Sequence, residues 1–246
     1  MIRDPQLAHV VHYCFEWAAL AAGFALYRAQ RSAGNPRSGR SATYWPIILG
    51  AILGAGIGNK LVFWIEFSHL WTVYKSDSLV WFMGQSIVGG LLGGWLGVEA
   101  GKKIVKQKSR TGDDFVRPIL LGIVIGRIGC FLAGLNDGTY GIATVLPWGV
   151  DFGDGIKRHP TQLYEWAVAL IALVSYPRWH RWFEHQAGLS FRVMMLAYMG
   201  WRFLSEYLKP LPYEYFAGLS GIQVVCAAAF VLISATTLSS QRQPLR

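Results

Sequence analysis

The sequence predicts an all-α integral membrane protein of seven transmembrane helices, with an exterior (periplasmic) N-terminus and a cytoplasmic C-terminus. Three observations predict this fold: only 15% of the 246 residues are charged, 53% are hydrophobic, and apolar stretches of membrane-spanning length recur along the chain. Soluble domains carry about 25% charged residues, and a hydrocarbon core needs roughly 20 apolar residues per helix. Eleven Trp, thirteen Phe and eleven Tyr also exclude a disordered chain.

The predicted spans form a single polytopic transmembrane domain that covers residues 1–246. In chain order, the spans are residues 8–27, 44–65, 79–100, 117–135, 161–178, 191–208 and 218–238. Three polar residues interrupt the first span, but their near-helical spacing allows them to share one inward face; they are His9, His12 and Glu16. The third span carries glycines four residues apart, which predict a helix-packing face; they are Gly89, Gly90, Gly93, Gly94 and Gly97.

Positive charge predicts the orientation, because cytoplasmic loops carry an excess of Lys and Arg. Fifteen of the 23 basic residues follow the first, third, fifth and seventh spans. Only five lie on the opposite side, namely Arg3, Lys75, Lys157, Arg158 and Lys209. The N-terminus is therefore expected outside and the C-terminus in the cytoplasm. The basic residues indicate a cytoplasmic surface that faces water and lipid head groups, and no nucleic-acid partner is expected.

A long connection at about 136–160 is predicted on the exterior side. It is rich in glycine and carries three aspartates, Asp137, Asp151 and Asp154. Connections of this length are often functional. Any chemistry carried by this loop is therefore expected to face the outside of the cell.

Two arginines inside predicted spans are candidates for a functional site, because charged residues are costly in a bilayer. Arg202 and Glu206 are four residues apart on the sixth span, so they share a helix face and can form a neutralising ion pair. Arg127 has no acidic residue within one turn on its own helix. It needs a partner on another helix, a water-filled cavity or an anionic ligand, and phosphate is the ligand that suits a guanidinium best.

Small residues and a thiol surround Arg127 in the segment 126–131, which reads GRIGCF. Gly126 and Gly129 permit close approach of another helix or of a ligand head group. Cys130 lies one turn from Arg127, where a cation favours the thiolate; a buried inert thiol is the alternative. The three cysteines of the chain are widely spaced, so their spacing predicts neither a disulfide framework nor a metal site of the CxxC type.

The fifth span opens on residues 158–165, which read RHPTQLYE. Proline suits the first turn of a helix, so His159 is either a residue that helps to start the helix or a catalytic group. Gln162 and Glu165 are three residues apart and share one helix face. Tyr164 is typical of the aromatic belt at a membrane interface.

Together these motifs resemble the bacterial prolipoprotein diacylglyceryl transferases. The similarity covers roughly residues 45–235 and runs through the third-span glycines, GRIG, Gly141, HPTQLYE, the pair of Arg202 and Glu206, and the GIQ that opens the last span. The resemblance implies a multi-pass enzyme of the bacterial inner membrane that transfers diacylglyceryl from phosphatidylglycerol to the lipobox cysteine of preproteins. The products would be a thioether and glycerol phosphate. Phosphatidylglycerol, preproteins and membrane lipid would be the partners, and neither a metal nor an organic cofactor would be needed.

The resemblance also implies the site residues. Arg127 and Arg202 would hold the phosphate and stabilise the charge that it gains as the carbon–oxygen bond breaks. Asp137, His159 and Glu206 are the candidate proton acceptors for the attacking thiol. The expected substrate-binding residues are Gly126, Gly129, Cys130, Gly141, Gln162, Tyr164 and Glu165.

Several positions differ from the family pattern, among them Ala133, which stands where the signature has a second asparagine, and Asp137, which matches its glutamate only with a two-residue insertion. Val88 stands where the family commonly has a histidine, Cys130 stands where many members have asparagine, and no tyrosine matches the one expected near Phe15. These differences favour, as an alternative, an enzyme of the same fold that uses a phospholipid but transfers to another acceptor. A non-catalytic lipid-binding or transport protein is a third possibility, although the two matching halves typical of many transporters are not visible in the sequence.

Overall fold

The protein is largely helical in the computed structural model, which describes residues 2, 4–34, 45–70 and 84–241. Seven α-helices lie wholly within these ranges, and each overlaps one predicted span: α1 Pro5–Gly34, α2 Trp45–Glu66, α3 Ile87–Ile104, α4 Val116–Ala133, α5 Thr161–Phe183, α6 Leu189–Ser205 and α7 Gly221–Gln241. A short antiparallel hairpin joins β1 Val150–Asp151 to β2 Lys157–Arg158.

Four helical stretches among the described residues are long and apolar enough to cross a membrane: Pro5–Ser32, Trp45–Glu66, Gly112–Asp137 and Gly221–Leu238. The chain is therefore an all-α membrane protein, as the composition predicts. The count of seven spans, the orientation of the termini and the single polytopic domain with its exterior loop at 136–160 stay predictions.

Helix boundaries differ from the predicted spans where local chemistry sets them. The third span was predicted to begin at residue 79, whereas α3 begins at Ile87. Residues 79–83 lie outside the described residues. Its N-cap is Ser86, whose hydroxyl accepts a hydrogen bond from the Gly89 N–H. The first span was predicted to end at residue 27, yet α1 continues to Gly34. Its last turns carry Arg28 and Arg31, whose long side chains suit a helix end that leaves the apolar layer.

The chain divides into two compact units. Within the described residues, the first contains α1, α4, α5, the start of α6 and residues 207–210. In this unit α4 packs against both α1 and α5. The second unit contains α2, α3, the rest of α6 and α7, and in it α7 packs against α2 and α3.

Glycines bring the backbones of α2 and α3 into contact inside the second unit. On α3, a Cβ added at any of three glycines would lie 1.9–2.0 Å from a carbonyl oxygen of α2; they are Gly89, Gly93 and Gly97. The glycines that face them on α2 are Gly50, Gly54 and Gly58. The packing face predicted for the third span is therefore confirmed, and its partner stripe on α2 is an addition that the sequence analysis missed.

The hairpin in the 136–160 connection is held by side-chain contacts. Oδ1 of Asp151 accepts hydrogen bonds from three successive backbone N–H groups, those of residues 153–155, at 2.7–3.1 Å. Arg158 donates to Oδ1 of Asp154 at 2.6 Å. This charge-assisted hydrogen bond holds the pKa of the exposed Asp154 carboxyl below its ordinary value of 3.8 and raises the pKa of Arg158.

Candidate active site

Arg127 finds its partner on another helix. Its Nη2 donates to Oε1 of Glu165 at 2.8 Å, joining α4 to the N-terminal part of α5. Both side chains are buried, with Arg127 at 9% and Glu165 at 3% exposure. Of the three kinds of partner that the sequence leaves open for Arg127, the structure therefore shows a side chain on another helix. The carboxylate neutralises the guanidinium and fixes its orientation.

A mixed cluster of donor atoms lies one turn from Arg127. Nδ1 of His12, on α1, lies 3.0 Å from Oδ1 of Asp137, and its Nε2 lies 3.1 Å from Oε1 of Glu16. Cys130 completes the cluster: one donor atom each from His12, Cys130 and Asp137 lies within 4.8 Å of the other two. Arg127 Nη1 is 3.6 Å from the Cys130 sulfur. The cluster therefore places a thiol among an imidazole, a carboxylate and a guanidinium.

The glycines that flank Arg127 have different surroundings. A Cβ on Gly129 would lie 2.5 Å from Cβ of Phe15, so Gly129 permits the close approach of α1 that brings His12 to Cys130. A Cβ on Gly126 would meet nothing within 4 Å among the described residues. Packing therefore accounts for Gly129, whereas Gly126 borders open space.

His159 and Gly141 lie where the 136–160 connection meets α5. Nδ1 of His159 lies 3.2 Å from the Tyr164 hydroxyl, which also accepts a hydrogen bond from the indole N–H of Trp148 at 2.8 Å. Gly141 donates its N–H to the His159 carbonyl at 2.9 Å. A Cβ on Gly141 would lie 2.6 Å from that oxygen and 2.7 Å from the carbonyl oxygen of Leu208. Gly141 is therefore required by close backbone packing.

Gln162 is the predicted site residue with the most unusual surroundings. It is 1% exposed, and neither its Nε2 nor its Oε1 has a hydrogen-bond partner in the part of the chain that the structure describes. Buried amides are normally paired, because leaving one unpaired costs about 1–3 kcal/mol. Gln162 lies three residues before Glu165, on the same face of α5, so an unpaired amide lies beside the partner of Arg127.

In the second unit, Arg202 and Glu206 form the ion pair that their spacing predicts. Nη2 of Arg202 lies 3.1 Å from each carboxylate oxygen of Glu206, and both side chains are buried. Val88, at the position of the family histidine, is fully buried on α3.

Sequence reasoning missed one carboxylate that the structure buries at a helix terminus. Glu66, at the end of α2, accepts a hydrogen bond from the N–H of Ile222 at 2.6 Å, so a buried carboxylate caps the N-terminus of α7. Glu16 supports the outer nitrogen of His12. His12 and Glu16 stand four residues apart in an apolar span, and this spacing is the signal that pointed to them.

The geometry supplies two kinds of chemistry. Buried guanidinium groups can bind an anion and stabilise charge that develops on it. The cluster of His12, Cys130 and Asp137 can bind a cation or a thiol. The predicted site residues of the first unit are Arg127, Asp137, His159, Gly126, Gly129, Cys130, Gly141, Gln162, Tyr164 and Glu165, and those of the second are Arg202 and Glu206.

Comparison with known proteins identifies the family. The family model described as prolipoprotein diacylglyceryl transferase matches residues 10–238. Three relatives carry the name phosphatidylglycerol--prolipoprotein diacylglyceryl transferase. The Bordetella parapertussis protein is 28% identical over 84% of this chain and 82% of its own. The Mannheimia succiniciproducens protein is 31% identical over 76% and 70%, and the Nitratidesulfovibrio vulgaris protein is 27% identical over 92% and 90%. A match of this extent shows that the chain belongs to the prolipoprotein diacylglyceryl transferase family.

Proposed function

We propose that this protein transfers the diacylglyceryl group of phosphatidylglycerol to the lipobox cysteine of prolipoproteins, forming a thioether and releasing glycerol phosphate. Membership of the family and the names of the relatives support this activity. The observation that carries it in this chain is the buried guanidinium of Arg127, oriented by Glu165 beside the unpaired amide of Gln162. A phospholipid supplies the phosphate and the glyceryl oxygens that such groups recognise.

In the proposed reaction, the acceptor sulfur attacks the glyceryl carbon and the carbon–oxygen bond breaks. The bonding electrons stay on the phosphate, which changes from a diester to a monoester and gains negative charge. A guanidinium already held in place stabilises that charge without reorganising as the bond breaks. We assign this role to Arg127, whose buried partner is Glu165, and, from the resemblance to the family, to Arg202, whose buried partner is Glu206.

The remaining site residues take roles that fit their contacts. The catalytic set that we propose consists of Arg127, Asp137, His159, Arg202 and Glu206. Gln162 and Glu165 would bind the lipid head group from one face of α5, and Tyr164 would orient His159. Gly126 would admit the head group beside Arg127, and Gly129 would let α1 approach it closely. Cys130 would contact the acceptor, and Gly141 would fix the path of the 136–160 connection.

We further propose seven transmembrane spans, with the N-terminus and the site at the exterior face of the bacterial inner membrane and the C-terminus in the cytoplasm. The distribution of fifteen basic residues against five supports this orientation. Alkaline phosphatase fusions after residues 110 and 160 test it. High activity only after residue 160 is expected, and the reverse pattern would invert the topology.

The activity is tested by incubating the purified protein with phosphatidylglycerol and a lipobox peptide. Mass spectrometry then follows the lipidated peptide and the released glycerol phosphate. We expect both products, and an approximately 100-fold or greater loss of both in Arg127→Lys, because lysine lacks the planar fork of the guanidinium. Arg181→Lys is the matched control, since Arg181 is exposed on α5. Equal losses in the two variants would remove Arg127 from the site.

A second function is favoured by Val88, which puts a buried apolar side chain at the position of the family histidine. The protein would then use phosphatidylglycerol but transfer diacylglyceryl to another acceptor. Release of glycerol phosphate without lipidation of the peptide supports this function. Absence of both products from folded protein would instead indicate a lipid-binding or transport protein.

A further inference from the structure

Three side chains from distant parts of the first unit form a donor set typical of a zinc site. His12 comes from α1, Cys130 from α4, and Asp137 from the short 3-10 turn that follows α4. One donor atom of each lies within 4.8 Å of the other two. Imidazole nitrogen, thiolate sulfur and carboxylate oxygen are the three ligand types that proteins use for zinc, and a tetrahedral ion holds such ligand atoms about 3.3–3.8 Å apart, within that bound.

The outer contacts of the cluster follow the same pattern. A histidine that binds a metal through one nitrogen usually donates its other N–H to a carboxylate. Nδ1 of His12 lies 3.0 Å from Oδ1 of Asp137, and its Nε2 lies 3.1 Å from Glu16. Asp137 is supported in turn, because its second oxygen accepts a hydrogen bond from the Thr139 hydroxyl. Glu16 thus orients the His12 ligand and Thr139 orients the Asp137 ligand, although neither is itself a ligand.

Burial and charge also suit a divalent cation. The Cys130 residue is 8% exposed, and the Asp137 and His12 side chains are 6% and 21% exposed, so one edge of the cluster stays accessible. A thiolate and a carboxylate together balance the charge of Zn²⁺. The Arg127 guanidinium lies 3.6 Å from the sulfur, at the border of the cluster.

We propose that His12, Cys130 and Asp137 bind a zinc ion, and that its fourth position takes the thiol of the acceptor cysteine. Three protein ligands and one open position are typical of catalytic zinc, whereas structural zinc sites have four protein ligands. The binding of the acceptor thiol at the fourth position rests on the proposed function, whereas the binding of zinc by the three side chains does not.

The role of the fourth position follows from the chemistry of thiols. A thiol that coordinates zinc loses its proton to solvent. The resulting thiolate sulfur gives an electron pair to the glyceryl carbon, and the carbon–oxygen bond breaks with its electrons retained by the departing glycerol phosphate. No oxidant or reductant is needed.

The zinc site is tested on the full chain in detergent by measuring metal content after incubation with zinc and removal of the excess. About one zinc ion per chain is expected for the wild type, with at least a tenfold loss in Cys130→Ser and in His12→Ala. Cys226→Ser is the matched control, because Cys226 is a buried cysteine of the second unit. Zinc content that is unchanged by Cys130→Ser, or a wild type without zinc, would overturn the proposal.

Cobalt substitution tests the ligands without depending on the folding of a variant. The wild-type protein loaded with Co²⁺ should show the near-ultraviolet charge-transfer band of a cobalt thiolate. Absence of that band would overturn the assignment of Cys130.

The fourth position is tested on the same cobalt protein by adding the lipobox peptide. A change in the visible spectrum is expected with the cysteine peptide and not with its serine analogue. Identical spectra would overturn the role of the fourth position while leaving the metal site in place. Because neither measurement needs turnover, failure of the proposed transferase activity is distinguished from failure of the zinc site.

Discussion

Replacing Gly93 by alanine tests the backbone contact between α2 and α3. The new Cβ would lie 2.0 Å from the carbonyl oxygen of Gly54 and 2.9 Å from the Cα of Gly58. Both neighbours are backbone atoms, so no side chain can rotate away. Ordinary contact near 3.4 Å requires the helices to separate locally by roughly 1.4 Å.

Gly94→Ala is the matched control for the size of this effect. Its Cβ would lie 3.5 Å from Cβ of Ala55 and 3.7 Å from the carbonyl oxygen of Ala51, and both are ordinary contacts. Each alanine gains about 1 kcal/mol of helix propensity over glycine, so this gain cancels when the two variants are compared. The difference that remains is the overpacking cost, about 1–3 kcal/mol.

Thermal unfolding of the detergent-solubilised variants measures that difference. For a chain of this size, each kcal/mol shifts Tm by about 2–4 °C. Gly93→Ala should therefore unfold about 4–8 °C below Gly94→Ala if overpacking costs about 2 kcal/mol. A Tm for Gly93→Ala equal to or above that of Gly94→Ala would refute the backbone contact.

Three further predictions concern the first unit. Glu165→Gln removes the carboxylate that accepts from the buried Arg127 guanidinium and should destabilise the protein by about 3–5 kcal/mol. The double variant with Arg127→Met should recover Tm without activity, whereas an unchanged Tm in the single variant would contradict the ion pair. Gly141→Ala should increase proteolysis of the 136–160 connection, and unchanged cleavage would contradict the close packing. Because the pKa of Asp154 lies below 3.8, its contact with Arg158 should stabilise the hairpin above that pH and be lost as pH falls through the folded-state value. Amide exchange corrected for intrinsic rates should show this loss in the wild type and not in Asp154→Asn.

Much of the helical architecture could be predicted from the sequence, because a membrane span is a local property of about 20 residues. All seven predicted stretches overlap helices, and the errors lie at their ends. The start of α3 depends on the hydroxyl of Ser86. The extension of α1 depends on its terminal arginines, which a hydropathy scale counts as polar although their stems are apolar.

The sequence predicted which residues belong to the candidate site, but not which of them contact one another. The motif around Arg127 and the HPTQLYE string identified the residues, but the contact between Arg127 and Glu165 joins positions 38 residues apart. No helical period relates such positions. The cluster of His12, Cys130 and Asp137 was missed for the same reason. Spacing rules find ligands that lie close along the chain, and His12 lies more than a hundred residues before Cys130.

The ion pair between α4 and α5 has a consequence for biosynthesis. An arginine at the centre of a membrane helix disfavours insertion by about 2.5–3.5 kcal/mol, and Glu165 emerges 38 residues after Arg127. At ordinary translation rates of about 5–20 residues per second, roughly 2–8 s separate the two. During that interval α4 has an uncompensated charge, so its release into lipid is favoured only after the start of α5 has arrived. The arrival of Glu165 would then reduce the cost of inserting α4.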